Sequence, residues 1–477
     1  MHQRLFYLLP RIWAIGDVVS RLDSLNHLGQ PSTKLPEAGG LTLKARGKMS
    51  LSRRSCLTVG ASGLVSALSG AGGAPSHAAM LPDQKYDLVI KGGDVLDPSG
   101  LVRGKRDIAI HRGLIEAVQE NIAAERAALT IDASGRLVVP GLIDLHAHVY
   151  PYGSAIGLPA DEMVPFDGVT TVVSAGDAGA NNIAGLRRFI AAQARTRMFA
   201  FIHIANMGLA AFPVAELYNI DFAQVDACAR AIAENPDFAL GAKVRMSENV
   251  IAQHGAEPLR RAIQACERSG RPAKIMAHIG GVQTAALMSE ILDLLRPGDI
   301  LTHCFSGAPN LAGEFTNIVQ GGKVIPAAVA AKRRGVIFDI GHGGGSFDYT
   351  VAETAIQQGV LPDTISSDLH AVSGNTPGMP FLPIVMSKFL GLGFKLEEVI
   401  AMATIAPAKV IDRGAKLGTL QVGAPGDVTL LDLMQGPVSF VDTRGNRREG
   451  QMALRPVQTV SSGVPFGRPF SVPFSMR

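Results

Sequence analysis

Short apolar runs recur through the middle of the chain, each ending on a polar residue and followed by a stretch with helical spacing. Eight runs are legible: residues 137–148, 170–175, 198–205, 239–246, 274–278, 300–305, 336–341 and 364–370. Apolar runs of this length, bounded by turn residues, read as strands buried on both faces. Residues 182–196, 223–235, 258–269 and 282–295 place apolar side chains three and four apart, as an amphipathic helix requires. Eight strand-then-helix units predict an α/β chain closed into a parallel (β/α)8 barrel, a TIM barrel.

The flanks read differently. Residues 86–140 are strand-rich, with a hairpin expected around His111-Arg112. After a helical stretch at 396–404 the β pattern returns at 426–432, and beyond about Gly450 no pattern is legible. The expected organisation is a leader at 1–78, a barrel at 141–405, and a small discontinuous β-sandwich built by 79–140 together with 406–477.

Within the leader, Ser52-Arg53-Arg54-Ser55-Cys56-Leu57 precedes a weakly apolar Gly/Ala/Ser stretch that ends near Ala78-Ala79. This resembles a twin-arginine export signal, and it predicts a periplasmic or exported protein cleaved near Ala79, with a cytoplasmic one as the alternative. A signal starting at Met49 has ordinary length, so residues 1–48 read as an extended start. The body of the chain has no apolar run long enough to span a bilayer.

The charge belongs to the leader as well. Residues 1–78 hold 9 basic and 3 acidic residues, which leaves 36 basic against 38 acidic, a net of −2. Nothing there points to nucleic acid or an anionic membrane. The expected partner is a small-molecule substrate, and a homo-oligomer stays open. Cys228, Cys266 and Cys304 are too widely spaced to form a disulfide framework.

The chemistry lies where the apolar runs stop. Strand one ends in His146-Ala147-His148, two imidazoles on one face of a strand. Alone, that pair is thin evidence for a metal. Strand four carries Lys243, strand five ends in His278, strand six in His303, and strand eight contains Ser366-Ser367-Asp368-Leu369-His370. Barrel active sites occupy the C-terminal face of the strands, so these groups are expected at one mouth. A buried lysine loses its proton readily, and the neutral amine could add carbon dioxide to give a carbamate with two ligating oxygens.

This order of residues resembles the amidohydrolase superfamily in its binuclear, carboxylated-lysine form, over roughly residues 85–450. The resemblance implies two divalent ions, zinc by default. One is held by His146, His148, carbamylated Lys243 and Asp368, and the other by Lys243, His278 and His303. A bridging hydroxide would attack the substrate, with Asp368 as the catalytic proton acceptor and donor.

Finer details resemble a predicted deacetylase, dihydroorotase-like subgroup: His148-Val149-Tyr150, Lys243-Val244-Arg245, Gly341-His342-Gly343, and Asp368-Leu369-His370 followed by Met386-Ser387-Lys388. Dihydroorotases usually place an arginine two residues after the second histidine, where this chain has Tyr150. Arg245 is a candidate carboxylate binder or a salt-bridge partner. Tyr150 and His342 are candidate substrate contacts, and His370 a substrate contact or a support for a metal ligand. His203, inside strand three, reads as a core histidine. The implied activity is hydrolysis of an acetyl or similar acyl amide or ester of a small, carboxylate-bearing molecule. The alternatives are a cyclic amidohydrolase of the dihydroorotase or hydantoinase kind and, further off, a non-catalytic homologue. Lys243 would have no task in a mononuclear deaminase.

Overall fold

The computed structural model describes residues 85–467. The expected export signal and extended start lie outside these residues.

Seven strands form a curled parallel sheet in sequence order, from Leu142–Ala147 through Val169–Gly179, Arg197–His203, Ala239–Arg245, Lys274–His278 and Ile300–Thr302 to Ile337–Asp339. The eighth segment closes the ring without forming a ladder. It makes isolated parallel bridges from Thr364 to Asp339 on one side and from Leu369 to Ala147 on the other. The expected strand at 364–370 is therefore irregular. Asp368 has φ of +48°, which breaks the extended run, and its N–H still donates to the His146 carbonyl at 2.6 Å.

Helices Val225–Glu234, Glu257–Arg268 and Ala285–Leu294 cover the outside where helical spacing placed them. The helix expected at 182–196 is shorter, a turn at Ile183–Gly185 followed by a π-helix at Leu186–Ala191. Beyond its end, the Asp161 carboxylate accepts from the backbone N–H groups of Arg195 and Thr196. Inside the ring, Ile143, Leu145, Val173, Phe199, Phe201 and Met276 share a core cluster with Ala408 and Val410, from the helical segment Ile405–Val410. Burying side chains of this size is worth about 1.5–3 kcal/mol each.

The second sheet draws on both ends of the described chain. Tyr86–Asp97 pairs with Val102–His111, Ala127–Asp132 and Leu137–Pro140, and Leu137–Pro140 pairs with Val428–Val441. Two expectations need correction here. The single strand read at 137–148 is two strands. It divides at Gly141, so that Leu137–Pro140 joins this sheet and Leu142–Ala147 the barrel. A Cβ at Gly141 would stand 2.2 Å from Thr170 Oγ1 and 2.9 Å from Asp427 Cβ, so only glycine fits where the chain passes between sheets. The stretch after Gly450 is not patternless: Arg447–Ser461 is a fifteen-residue strand paired antiparallel with Val428–Val441. Pro456 sits at a register shift opposite Leu431, and that bulge, where a missing N–H is tolerated, hid the strand.

Candidate metal centre

His146 and His148 leave the top of the first barrel strand with their Nε2 atoms turned to one carboxylate. Asp368 Oδ1 lies 3.3 Å from His146 Nε2 and 3.1 Å from His148 Nε2, and all three residues are buried. These ligand atoms lie within 4.8 Å of one another. Lys243 Nζ, on the fourth strand, is 3.1 Å from His146 Nε2. Around the ring, His303 Nε2 is 2.7 Å from His278 Nδ1 and 4.0 Å from Asp368 Oδ2. The six residues expected at the mouth are thus brought into one cluster.

The opposite ring nitrogens show how the cluster is aimed. His146 Nδ1 pairs with Thr302 Oγ1 at 2.7 Å, His148 Nδ1 with Asp177 Oδ1 at 2.9 Å, and His303 Nδ1 with the Gly341 carbonyl at 2.5 Å. Each bond fixes a ring and leaves Nε2 facing inward, the arrangement by which metal-ligating histidines are oriented. The supports are themselves supported. Asp177 Oδ2 accepts from Ser174 Oγ at 2.7 Å, and Asp339 accepts from Thr302, Thr364 and Ser366. His303 and Asp368 both have left-handed φ, +62° and +48°. Non-glycine residues held there cost about 1–3 kcal/mol each and tend to gather at functional sites.

Protonation suits ligation. Burial, with the Lys243 and histidine charges behind it, drives His146 well below its usual value, and burial outweighs the opposing charge of Asp368 to bring His303 down to about 4. Burial brings Lys243 down to about 7, because no carboxylate bonds its ammonium and its described contacts are the imidazole and Met276 Sδ at 3.5 Å. Burial opposes the charge on Asp368, but His148 and His303 prevail and hold its carboxyl far below the ordinary range. His148 goes the other way, to about 9, since Asp177 and Asp368 outweigh burial. Three imidazoles held neutral, a fourth, His148, that must give up its proton on ligation, one carboxylate and a depressed lysine fit one or two divalent ions.

The other expected site residues lie elsewhere. Arg245 Nη1 pairs with Glu216 at 3.1 Å, and Glu216 also meets His203 Nε2 at 3.2 Å. His342 is buried, stacked on Phe347, with Nε2 2.7 Å from Lys388 Nζ. Lys388 also donates to the carbonyls of Gly378 and Val441, so its three donors are taken. Tyr150 donates to the Asn182 carbonyl at 3.3 Å. The His370 ring stands edge-on to His148, 5.7 Å between centroids, and its Nδ1 accepts from the backbone N–H groups of Val372 and Ser373. The sequence assigned no role to Asp177, Thr302, Asp339, Glu216 or Lys388. For Asp177, Thr302 and Asp339 the one signal available was their place at or just beyond the ends of apolar runs, whereas Glu216 lies in a loop and Lys388 inside the helix Leu382–Gly391.

Comparison with known proteins accords with this geometry. Two amidohydrolase family models match, one over residues 129–185 and the other over 347–463. The chain is 35% identical over 335 residues to a deacetylase of Agrobacterium fabrum, covering 70% of this chain and 80% of that one. Among solved structures, an adenine deaminase superposes with TM-score 0.72 at 34% identity, covering 80% of this chain and 100% of that one. A dihydroorotase gives TM-score 0.71 at 30% identity, covering 80% of this chain and 99% of that one. The chain belongs to the amidohydrolase family. It is a metal-dependent hydrolase acting on carbon–nitrogen bonds.

Proposed function

We propose that the protein is a deacetylase that removes an acetyl or similar small acyl group from an amide or ester of a small, carboxylate-bearing molecule. The observation that carries this reading is the pairing of an intact ligand cluster with Tyr150, which bonds backbone where a dihydroorotase would present an arginine. The similarity to the Agrobacterium fabrum deacetylase supports it.

In this reading Lys243, once neutral, adds carbon dioxide through Nζ and releases one proton, giving a carbamate. His146, His148, Lys243 and Asp368 would hold one divalent ion, and Lys243, His278 and His303 a second, zinc by ligand type. Such ions supply Lewis-acid polarisation of a carbonyl and an acidified water. Asp368 Oδ1 faces His146 and His148, so Oδ2 is the atom left to take the proton of the attacking water and pass it to the leaving nitrogen or oxygen. Thr302 and Asp177 keep the rings aimed during that transfer. Export through the leader remains part of the proposal, with a mature N-terminus near Ala79.

A second reading, hydrolysis of a cyclic amide, uses the same residues and is favoured by the dihydroorotase structure at 30% identity. A screen of N-acetyl and O-acetyl amino and hydroxy acids beside cyclic ureides separates the two. Turnover of the acetyl compounds alone supports the deacetylase, and turnover of the ureides alone replaces it.

A further inference from the structure

The segments that directly follow the eight barrel strands (149–159, 176–182, 204–224, 246–256, 279–284, 303–318, 340–348 and 369–381) contain no lysine or arginine, and Lys323 lies further along the sixth connection, in the strand pair Val319–Gln320 and Lys323–Val324. These segments carry six acidic residues: Asp177, Glu216, Asp221, Glu248, Glu314 and Asp348. Lys243 belongs to the ligand cluster, and Lys388 is buried with its donors taken. Arg245, two residues beyond Lys243, is therefore the permanent cation that the described barrel strands carry at this face, while the exposed Arg444, from the turn between Val428–Val441 and Arg447–Ser461, donates to the Gly345 carbonyl in the loop after strand seven.

Its surroundings are built. Glu216 is buried, its carboxylate reached by Arg245 Nη1 at 3.2 and 3.1 Å. The same carboxylate lies 3.2 Å from His203 Nε2, and His203 Nδ1 accepts from the Ala205 N–H at 3.0 Å. With Nδ1 an acceptor, the neutral ring carries its proton on Nε2, close to Glu216 but without hydrogen-bond alignment to it. No described residue accepts from Arg245 Nε or Nη2, and neither atom is sealed from solvent. These two nitrogens form the guanidinium edge that binds a carboxylate side-on through two parallel bonds. The charge of Arg245 also reaches the cluster, helping to depress Lys243, His278 and His303.

We infer that Glu216, buried beside His203, is the specificity-determining residue of this site: it holds Arg245 by Nη1 so that the Nε–Nη2 edge receives one substrate carboxylate. Its negative charge also offsets that of Arg245. The subsite then selects a monoanionic carboxylate by hydrogen-bond geometry and gives little advantage to a dianion. This rests on the proposed hydrolysis of carboxylate-bearing acyl compounds and names the residue that enforces it.

The test compares N-acetyl-alanine, N-acetyl-alaninamide and N-acetyl-aspartate on the metal-loaded enzyme, by steady-state kinetics and by calorimetric binding. Wild type is expected to prefer N-acetyl-alanine over its amide by at least about tenfold in kcat/KM, roughly the worth of one good charged pair. Glu216→Ala raises KM for the carboxylate and collapses that preference, and Glu216→Asp restores part of it. Arg245→Met abolishes it, a direct check should Glu216→Ala fail to fold. A folded Glu216→Ala enzyme with the wild-type preference would overturn the inference, as would a wild type that hydrolyses acid and amide equally. If wild type turns over neither, the deacetylase reading fails, and binding then decides the subsite. Carboxylate binding that weakens in Glu216→Ala supports it, and equal binding of acid and amide overturns it.

Discussion

His148 Nδ1 lies 2.9 Å from Asp177 Oδ1, a buried carboxylate near the end of the second barrel strand that is bonded through its other oxygen to Ser174 and the Val149 N–H. This contact fixes which nitrogen of His148 faces the cluster. Removing the charge while keeping the shape, Asp177→Asn, is expected to weaken metal binding by about 10–100-fold. Competition against a chelator of known affinity measures it, and an unchanged affinity would show that the ring is held by other means.

The same pair sets a pH dependence. His148 in the metal-free chain titrates at about 9, above its ordinary 6.5, because Asp177 and Asp368 outweigh burial. A pKa raised on folding stabilises fully below the unfolded value and loses that contribution as pH rises through the folded value. Metal-free protein should thus lose part of its stability between about pH 6.5 and pH 9, and His148→Gln should lack that part. Ion binding near pH 7.5 should expel the His148 proton, and calorimetry in buffers of different ionisation heat counts it.

Lys243 is buried with an imidazole and a thioether for company, which suits a neutral amine and, after carbon dioxide addition, a carbamate. Lys243→Ala is predicted to lose both ions and activity, and short carboxylates such as acetate or propionate to restore part of each. Lys243→Arg should not be rescued, since a guanidinium stays charged and fills the space. Metal content with and without added carboxylate reads the result.

Gly176, in the second strand, has φ of +91°, and a Cβ there would stand 2.6 Å from Lys243 Cγ. Gly176→Ala is expected to destabilise by about 1–3 kcal/mol through overpacking and to lower metal content with it. A thermal melt beside elemental analysis checks both. Loss of stability without loss of metal would separate the lysine's position from this glycine.

Much of this architecture was legible because the barrel repeats one signal: an apolar run that stops on a reactive side chain. His146, His148, Lys243, His278, His303 and Asp368 each announced themselves that way. The residues that aim them did not. Asp177, Thr302 and Asp339 act from other strands of the barrel, and a lone carboxylate or hydroxyl at a strand end looks in sequence like a cap. Glu216 reaches Arg245 from a loop 29 positions away, and Lys388 reaches His342 across 46, separations at which no local pattern survives. The break at Gly141 was hidden inside an unbroken apolar run, and the long strand Arg447–Ser461 behind Pro456 and its bulge.

The central claim is that six side chains hold two divalent ions. Elemental analysis of the purified chain, stripped with chelator and then reconstituted with zinc and bicarbonate, tests it most directly. Close to two metal equivalents per chain are expected, falling in Lys243→Ala and recovering with added short carboxylates. A chain that stays empty after reconstitution, or that keeps its full metal content without Lys243, would contradict it.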